Sequence, residues 1–362
     1  MKLRNLHIEN YKMFKDFDIG FVDKNDEALP IVVLAGVNGS GKTTLLEFIY
    51  NTHSLEDNFD NNMTIEINDK QIMVHNRKRL ERYIRYTGNE DFDKETFRYR
   101  KNIENYHYNI IYLPIYDNNI DDLKKTIVKK YIDRAFEIDK PSEALRELQN
   151  YIKDIFDGLD LTFNLSDIKY NEKKVLFKDN NSVEFDIDKL STGEKTLLSK
   201  VLYLYFKGYK NKVILIDEPE LSLHPKWQNQ ILKIYENFAI KKNCQIIIAT
   251  HSPHIIGSAK SEYIRLLVKE DDKIKVVDNF TNTYGLKFSQ ILTEVMGVDH
   301  LRPVEVDNQL SKVKSMIVQN KYDSDEFKKE WNALEELLGK EYLELKLLKV
   351  EIASRRKNVS SK

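Results

Sequence analysis

The stretch GVNGSGKTT, residues 36–44, places glycines at 36, 39 and 41 just ahead of Lys42, Thr43 and Thr44. Glycines let a backbone curl until successive N–H groups point at one anion. A lysine beside such a nest reaches β- and γ-phosphates, and a hydroxyl beside it can ligate Mg²⁺. Gly36, Gly41, Lys42 and Thr43 fit G-x-x-x-x-G-K-[ST], with Asn38, Gly39 and Ser40 inside the loop and Thr44 directly after it. The implied ligands are ATP and Mg²⁺.

About 170 residues later, VILIDEPELSLHP runs four apolar residues into Asp217 and Glu218. Adjacent unpaired carboxylates repel and lose solvation, so a cation is expected beside them. With a phosphate loop present, Asp217 is expected to hold Mg²⁺ and Glu218 to polarise the attacking water. His251 closes the run QIIIAT, and its imidazole suits a contact to the γ-phosphate or the water; the competing reading is a loop or capping residue. LSTGEK at 190–195 puts Ser191 and Gly193 at a helix start. That is a place where anions bind, and equally a common N-cap sequence.

These residues need strands that end together. IVVLA before the loop, NIIYLPIYD, VILID and QIIIAT are apolar runs of strand length, as in a parallel sheet buried on both faces. TTLLEFIYN, Asp121–Phe156, TLLSKVLYLYFKGY and PKWQNQILKIYENFAI have helical spacing. The opening alternation LRNLHIENYKMFKDFDIGF, the hairpin MTIEINDKQIMV, FNLSDIKY and KKVLFKD read as further β structure. Strand–helix alternation of this kind gives an α/β fold. Hydrophobic residues make up 41%, and charges at 32% nearly cancel to a net −1. A global basic field that would draw the chain to nucleic acid is excluded. No run reaches membrane-helix length, MKLRNLHIENYK has no secretory apolar core, and the lone Cys244 lies in an apolar run. The expectation is a cytoplasmic protein without membrane contact.

NGSGKTT, LSTGEK, LIDEPELSLHP and ATHSPH, in this order over roughly residues 1–260, resemble the ABC-type ATPase superfamily, in the branch of RecF, SMC and OLD (overcoming lysogenization defect) ATPases. EPELSLHP is similar to OLD-type chains. The resemblance implies an ABC-type ATPase head with a P-loop parallel core sheet and an N-terminal antiparallel β part. A composite head over 1–300 would carry a helical insertion at 51–160, with a helical region at 301–362. It also implies a homodimer that sandwiches two ATP molecules. Ser191, Gly193 and Glu194 would then touch the γ-phosphate bound by the other copy, with Ser222 and His224 nearby. The Q-loop glutamine of the superfamily is missing, with Tyr116 or Asp117 as stand-ins. About 150 residues between the loop and LSTGEK are too few for an SMC coiled coil, and no Toprim-like acidic cluster follows. The chain therefore resembles ATPase subunits of anti-phage systems such as Septu, where a separate nuclease is the effector. A RecF-like DNA-repair ATPase is the alternative, with a transporter ATPase behind it.

Two segments read as partner surfaces. Arg77, Lys78, Arg79, Arg82 and Arg85 stand close together with tyrosines nearby, a DNA-contact pattern or a solvated face offset by NEDFDKE. Trp331, Leu334, Leu338, Leu345, Leu348 and Ile352 form a narrow apolar stripe on an otherwise charged tail, with Glu341 breaking one seam position. Packing against Val304–Val318 of the same chain is the expected use of that stripe.

Overall fold

The structure, a computed structural model, describes residues 2–51, 63–67, 70–74, 109–113, 120–157, 161, 163–280 and 283–360. The chain divides into two compact units, Met1–Ile291 and Leu292–Lys362.

In the first unit, the opening alternation becomes β1 (Leu3–Tyr11) paired antiparallel with β2 (Phe14–Gly20). Leu6, Ile8, Phe14 and Phe17 go inward while their neighbours face water. β3 (Ile31–Ala35) then leaves for the core and leads through the glycine-rich loop into α1 (Lys42–Asn51). The expected hairpin, β4 (Met63–Ile67) and β5 (Lys70–Val74), returns to the first sheet, which runs β2-β1-β4-β5. Next come β6 (Ile110–Leu113) and two helices, α2 (Ile120–Ile138) and α3 (Pro141–Ile155). Among the described residues of 51–160, α2 and α3 are helical and three strands join the two larger sheets. A small antiparallel sheet follows from β7 (Phe163–Lys169), β8 (Lys174–Asp179) and β9 (Glu184–Asp186).

The remaining elements complete the core. They are α4 (Thr192–Lys207), β10 (Val213–Asp217), α5 (Pro225–Lys242), β11 (Gln245–Thr250), α6 (Pro253–Ser258), β12 (Ile264–Glu270) and β13 (Lys273–Val277). The main sheet runs β13-β12-β3-β11-β10-β6, with only β13 antiparallel. Every residue of β3, β10 and β11 is buried, which accounts for their unbroken apolar sequences. Gln245, at the start of β11, is a buried polar residue with partners. Its side chain accepts from the Leu3 amide at 2.7 Å and donates to the carbonyls of Leu3 at 3.0 Å and Leu29 at 3.1 Å.

The second unit contains α7 (Val304–Val318), α8 (Asp325–Leu338) and α9 (Leu343–Ser360). The tail stripe is not one helix. Gly339 adopts φ +83° and ends α8, so the stripe divides between two helices. Both halves fold onto α7, with Trp331, Leu334, Leu345 and Leu348 clustered against Leu310, Val313 and Ile317. The intramolecular use of the stripe is what the structure displays.

Candidate active site

In the main sheet β11 lies between β3 and β10, and all three run the same way. Their carboxyl ends therefore deliver the glycine-rich loop, His251 and the Asp217–Glu218 pair to one edge, where open α/β sheets bind ligands. Gly36 makes the exit from β3. Its φ is +149°, and a Cβ there would stand 2.5 Å from Ser40 Oγ and 2.7 Å from the Leu267 carbonyl. No other residue fits that position without moving backbone. Asn38 and Gly39 are exposed at the loop tip, Ser40 and Gly41 are buried, and Thr43 and Thr44 are half-buried.

Lys42 is the first residue of α1 and only 6% exposed. Its ammonium donates to the carbonyls of Gly36 at 2.9 Å and Val37 at 3.0 Å, folded against its own loop. Burial lowers its pKa, and the charges of Glu218, Asp217 and Glu220 push back. Asp217, 1% exposed, accepts from Thr43 Oγ1 at 3.2 Å and from the Tyr112 hydroxyl at 3.4 Å. Burial raises the Asp217 carboxyl above its ordinary range, against the hydrogen bond from Thr43. Lys42 adds positive charge near the acid pair.

Glu218 sits at φ +42°, a left-handed turn immediately after β10, and its N–H donates to the Ala249 carbonyl at 2.9 Å. The turn carries its carboxylate to His251, with Glu218 Oε1 at 2.8 Å from Nδ1. His251 lies in the loop between β11 and α6 and pairs there with the candidate base.

Two contributors were not legible in the sequence. Tyr112 enters from β6 at the sheet edge. Glu220, 5% exposed, accepts through one oxygen from the Thr250 hydroxyl and from the amides of His251 and Ser252, both at 3.2 Å. It ties the loop after β10 to the end of β11. Burial raises its carboxyl above the ordinary range. The repeated acid in DEPE was the available signal.

Ser191 and Glu194 complete the other reading of LSTGEK. Ser191 Oγ caps α4 by accepting from the Glu194 amide at 3.3 Å, and Glu194 Oε2 accepts from the Ser191 amide at 2.8 Å. Ser191 remains exposed at the helix start. Gly193 has a packing reason. A Cβ there would lie 2.7 Å from the carbonyl of Ser222, so the loop after Glu220 crosses directly against α4. His224 caps α5, accepting from the Lys226 amide at 3.2 Å. Arg77, Lys78, Arg79, Arg82, Arg85, Tyr116 and Asp117 lie outside the described residues.

The donor set suits a magnesium nucleotide. A hydroxyl and a carboxylate converge as oxygen ligands for a hard cation. Ser40 Oγ is buried without a partner in the loop, and a buried lysine stands beside it. Thr43 and Asp217 would hold the metal, and the loop amides with Lys42 would hold the phosphates.

The comparisons agree with this geometry. A family model described as "AAA ATPase domain" matches residues 1–113. The retron Ec83 probable ATPase of Escherichia coli is 31% identical over 192 residues, which is 50% of this chain and 34% of that protein. The Septu protein PtuA of Bacillus thuringiensis is 31% identical over 166 residues, 41% of each chain. The OLD nuclease of Thermus scotoductus is 25% identical over 193 residues, 48% of this chain and 35% of that one. The matched stretch thus spans less than half the length of each relative. An SMC head domain from Thermotoga maritima superposes with a TM-score of 0.47 at 16% identity, over 78% of this chain and 100% of that one. A second family model, described as "AAA domain, putative AbiEii toxin, Type IV TA system", matches residues 73–257, half of the chain, and the chain belongs to that family of AAA domains.

Proposed function

We propose that the chain binds Mg-ATP and hydrolyses it, and that nucleotide-gated pairing of two copies controls a separate effector, a nuclease in anti-phage defence. The observation that carries the chemistry is the convergence of Lys42, Thr43, Asp217, Glu218 and His251 at three neighbouring strand ends.

Lys42 and the loop amides would bind and orient the phosphates, with Thr43 and Asp217 as metal ligands. Bound Mg²⁺ would neutralise charge on the phosphate oxygens. Glu218 would accept the proton of the attacking water at its carboxylate. His251 Nδ1, bonded to Glu218 Oε1, would fix the direction of that carboxylate. Ser191 stands exposed at the start of α4, a position from which it would reach the nucleotide of a second copy. Likeness to the Septu protein PtuA and to a retron ATPase supports the defence setting and the separate effector.

The test pairs hydrolysis with mass. The purified chain is expected to release phosphate from Mg-ATP. Glu218→Gln is expected to run as a dimer in light scattering with Mg-ATP and as a monomer without it. Adding Ser191→Arg should return the nucleotide-loaded variant to monomer. A mass insensitive to both changes removes the sandwich arrangement.

A further inference from the structure

A second buried cation stands against the site. Lys200 lies inside α4, in a run where Thr196, Leu197, Leu198, Ser199, Val201 and Leu202 are also buried, and it is 7% exposed. Its ammonium donates to the main-chain carbonyl of Glu218 at 3.0 Å. Burying an ammonium is costly unless it is bonded and opposed by negative charge. Glu220, Asp217 and Glu218 supply that charge. A helix position that only had to fill space would be served by leucine or methionine without desolvation, so the lysine has another task.

The backbone of Glu218 shows the task. A left-handed φ of +42° is unfavourable for a residue with a Cβ and persists only when its surroundings enforce it. β11 holds the residue through its N–H, which donates to the Ala249 carbonyl at 2.9 Å. Lys200 holds it through its C=O. Between these two anchors the side chain meets His251.

We propose that Lys200 is a positioning residue for hydrolysis, clamping the Glu218 carbonyl so that the strained turn keeps the carboxylate on His251 and facing the water. The proposal rests on the reading of Glu218 as the base. It also anchors that base to the helix whose first turn presents Ser191.

Lys200→Met keeps length and apolar packing and removes the N–H donors. We expect Mg-ATP affinity and KM within about threefold of wild type, and kcat lowered by about 30-fold or more. In a Glu218→Gln background the same change should lower the residual rate by less than about threefold, because Lys200 acts through Glu218. A merely structural lysine would act equally in both backgrounds or weaken nucleotide binding. Should Lys200→Met fail to fold, Lys200→Leu, which likewise has no N–H donor, is measured in the same two backgrounds against the same limits. Wild-type hydrolysis, a crippled Glu218→Gln and an unaffected Lys200 variant would overturn this proposal alone. Absence of wild-type hydrolysis, or a Glu218→Gln enzyme at full rate, would instead remove the ATPase reading beneath it.

Discussion

His251 Nδ1 and Glu218 Oε1 are 2.8 Å apart, although the two residues close different strands of the main sheet. The imidazole therefore fixes the direction of the carboxylate. Glu218→Gln keeps volume and hydrogen bonding but cannot accept a proton. ATP binding should match or exceed wild type, and phosphate release should fall on the order of 10²-fold or more. A phosphate-release assay with a parallel binding titration decides this.

Lys42→Ala should abolish ATP binding while the chain still folds. The ammonium donates to loop carbonyls and lies outside the apolar core, so that core is left intact. Equilibrium binding of labelled ATP within about threefold of wild type would contradict its phosphate role.

Gly193→Ala forces a methyl to within 2.7 Å of the Ser222 carbonyl, where backbone must shift. Overpacking of this kind costs about 1–3 kcal/mol. The expected result is a lower urea midpoint with unchanged ATP binding to the phosphate loop. An unaltered midpoint would mean that the loop after Glu220 yields freely.

Glu344 accepts from Arg302 at 2.6 Å and from Lys314 at 2.7 Å. Burial pushes its carboxyl up, but these two bonds prevail and hold it below the ordinary 4.5. A depressed folded-state pKa stabilises above the unfolded value and is lost as pH falls through the folded one. The second unit should therefore weaken as pH drops below 4.5, and Glu344→Gln should reduce that acid sensitivity. Urea midpoints at neutral and acid pH, for both forms, measure it.

Replacing Arg77, Lys78, Arg79 and Arg82 with Ala tests the basic segment. Should it hold DNA, affinity falls, and the log–log salt slope flattens by roughly one unit for every phosphate no longer neutralised, while basal ATPase persists. Unchanged affinity and slope identify a solvated face.

The phosphate loop and Asp217 were legible in the sequence because their chemistry is local: one contiguous stretch, or one strand end, carries every needed residue type. The parallel core strands were legible for the same reason, since burial on both faces leaves an unbroken apolar run. Tyr112 and Lys200 were not. Each belongs to a stretch whose pattern already satisfies a strand or a helix, and only the sheet order or the packing of α4 brings it to the acid pair. The tail stripe loses one seam position at Glu341 and then resumes, and a single interruption did not by itself separate α8 from α9.

Gln245 carries a consequence for motion. Its single amide fastens β1 to the root of β11, the strand that ends at His251. Strands outside the main sheet commonly exchange their amides with solvent through small local openings. Here the Leu3 amide cannot open without stranding a buried glutamine. Its exchange should track the global unfolding of the main sheet, which makes the Leu3 amide a slow-exchanging reporter on the integrity of that sheet.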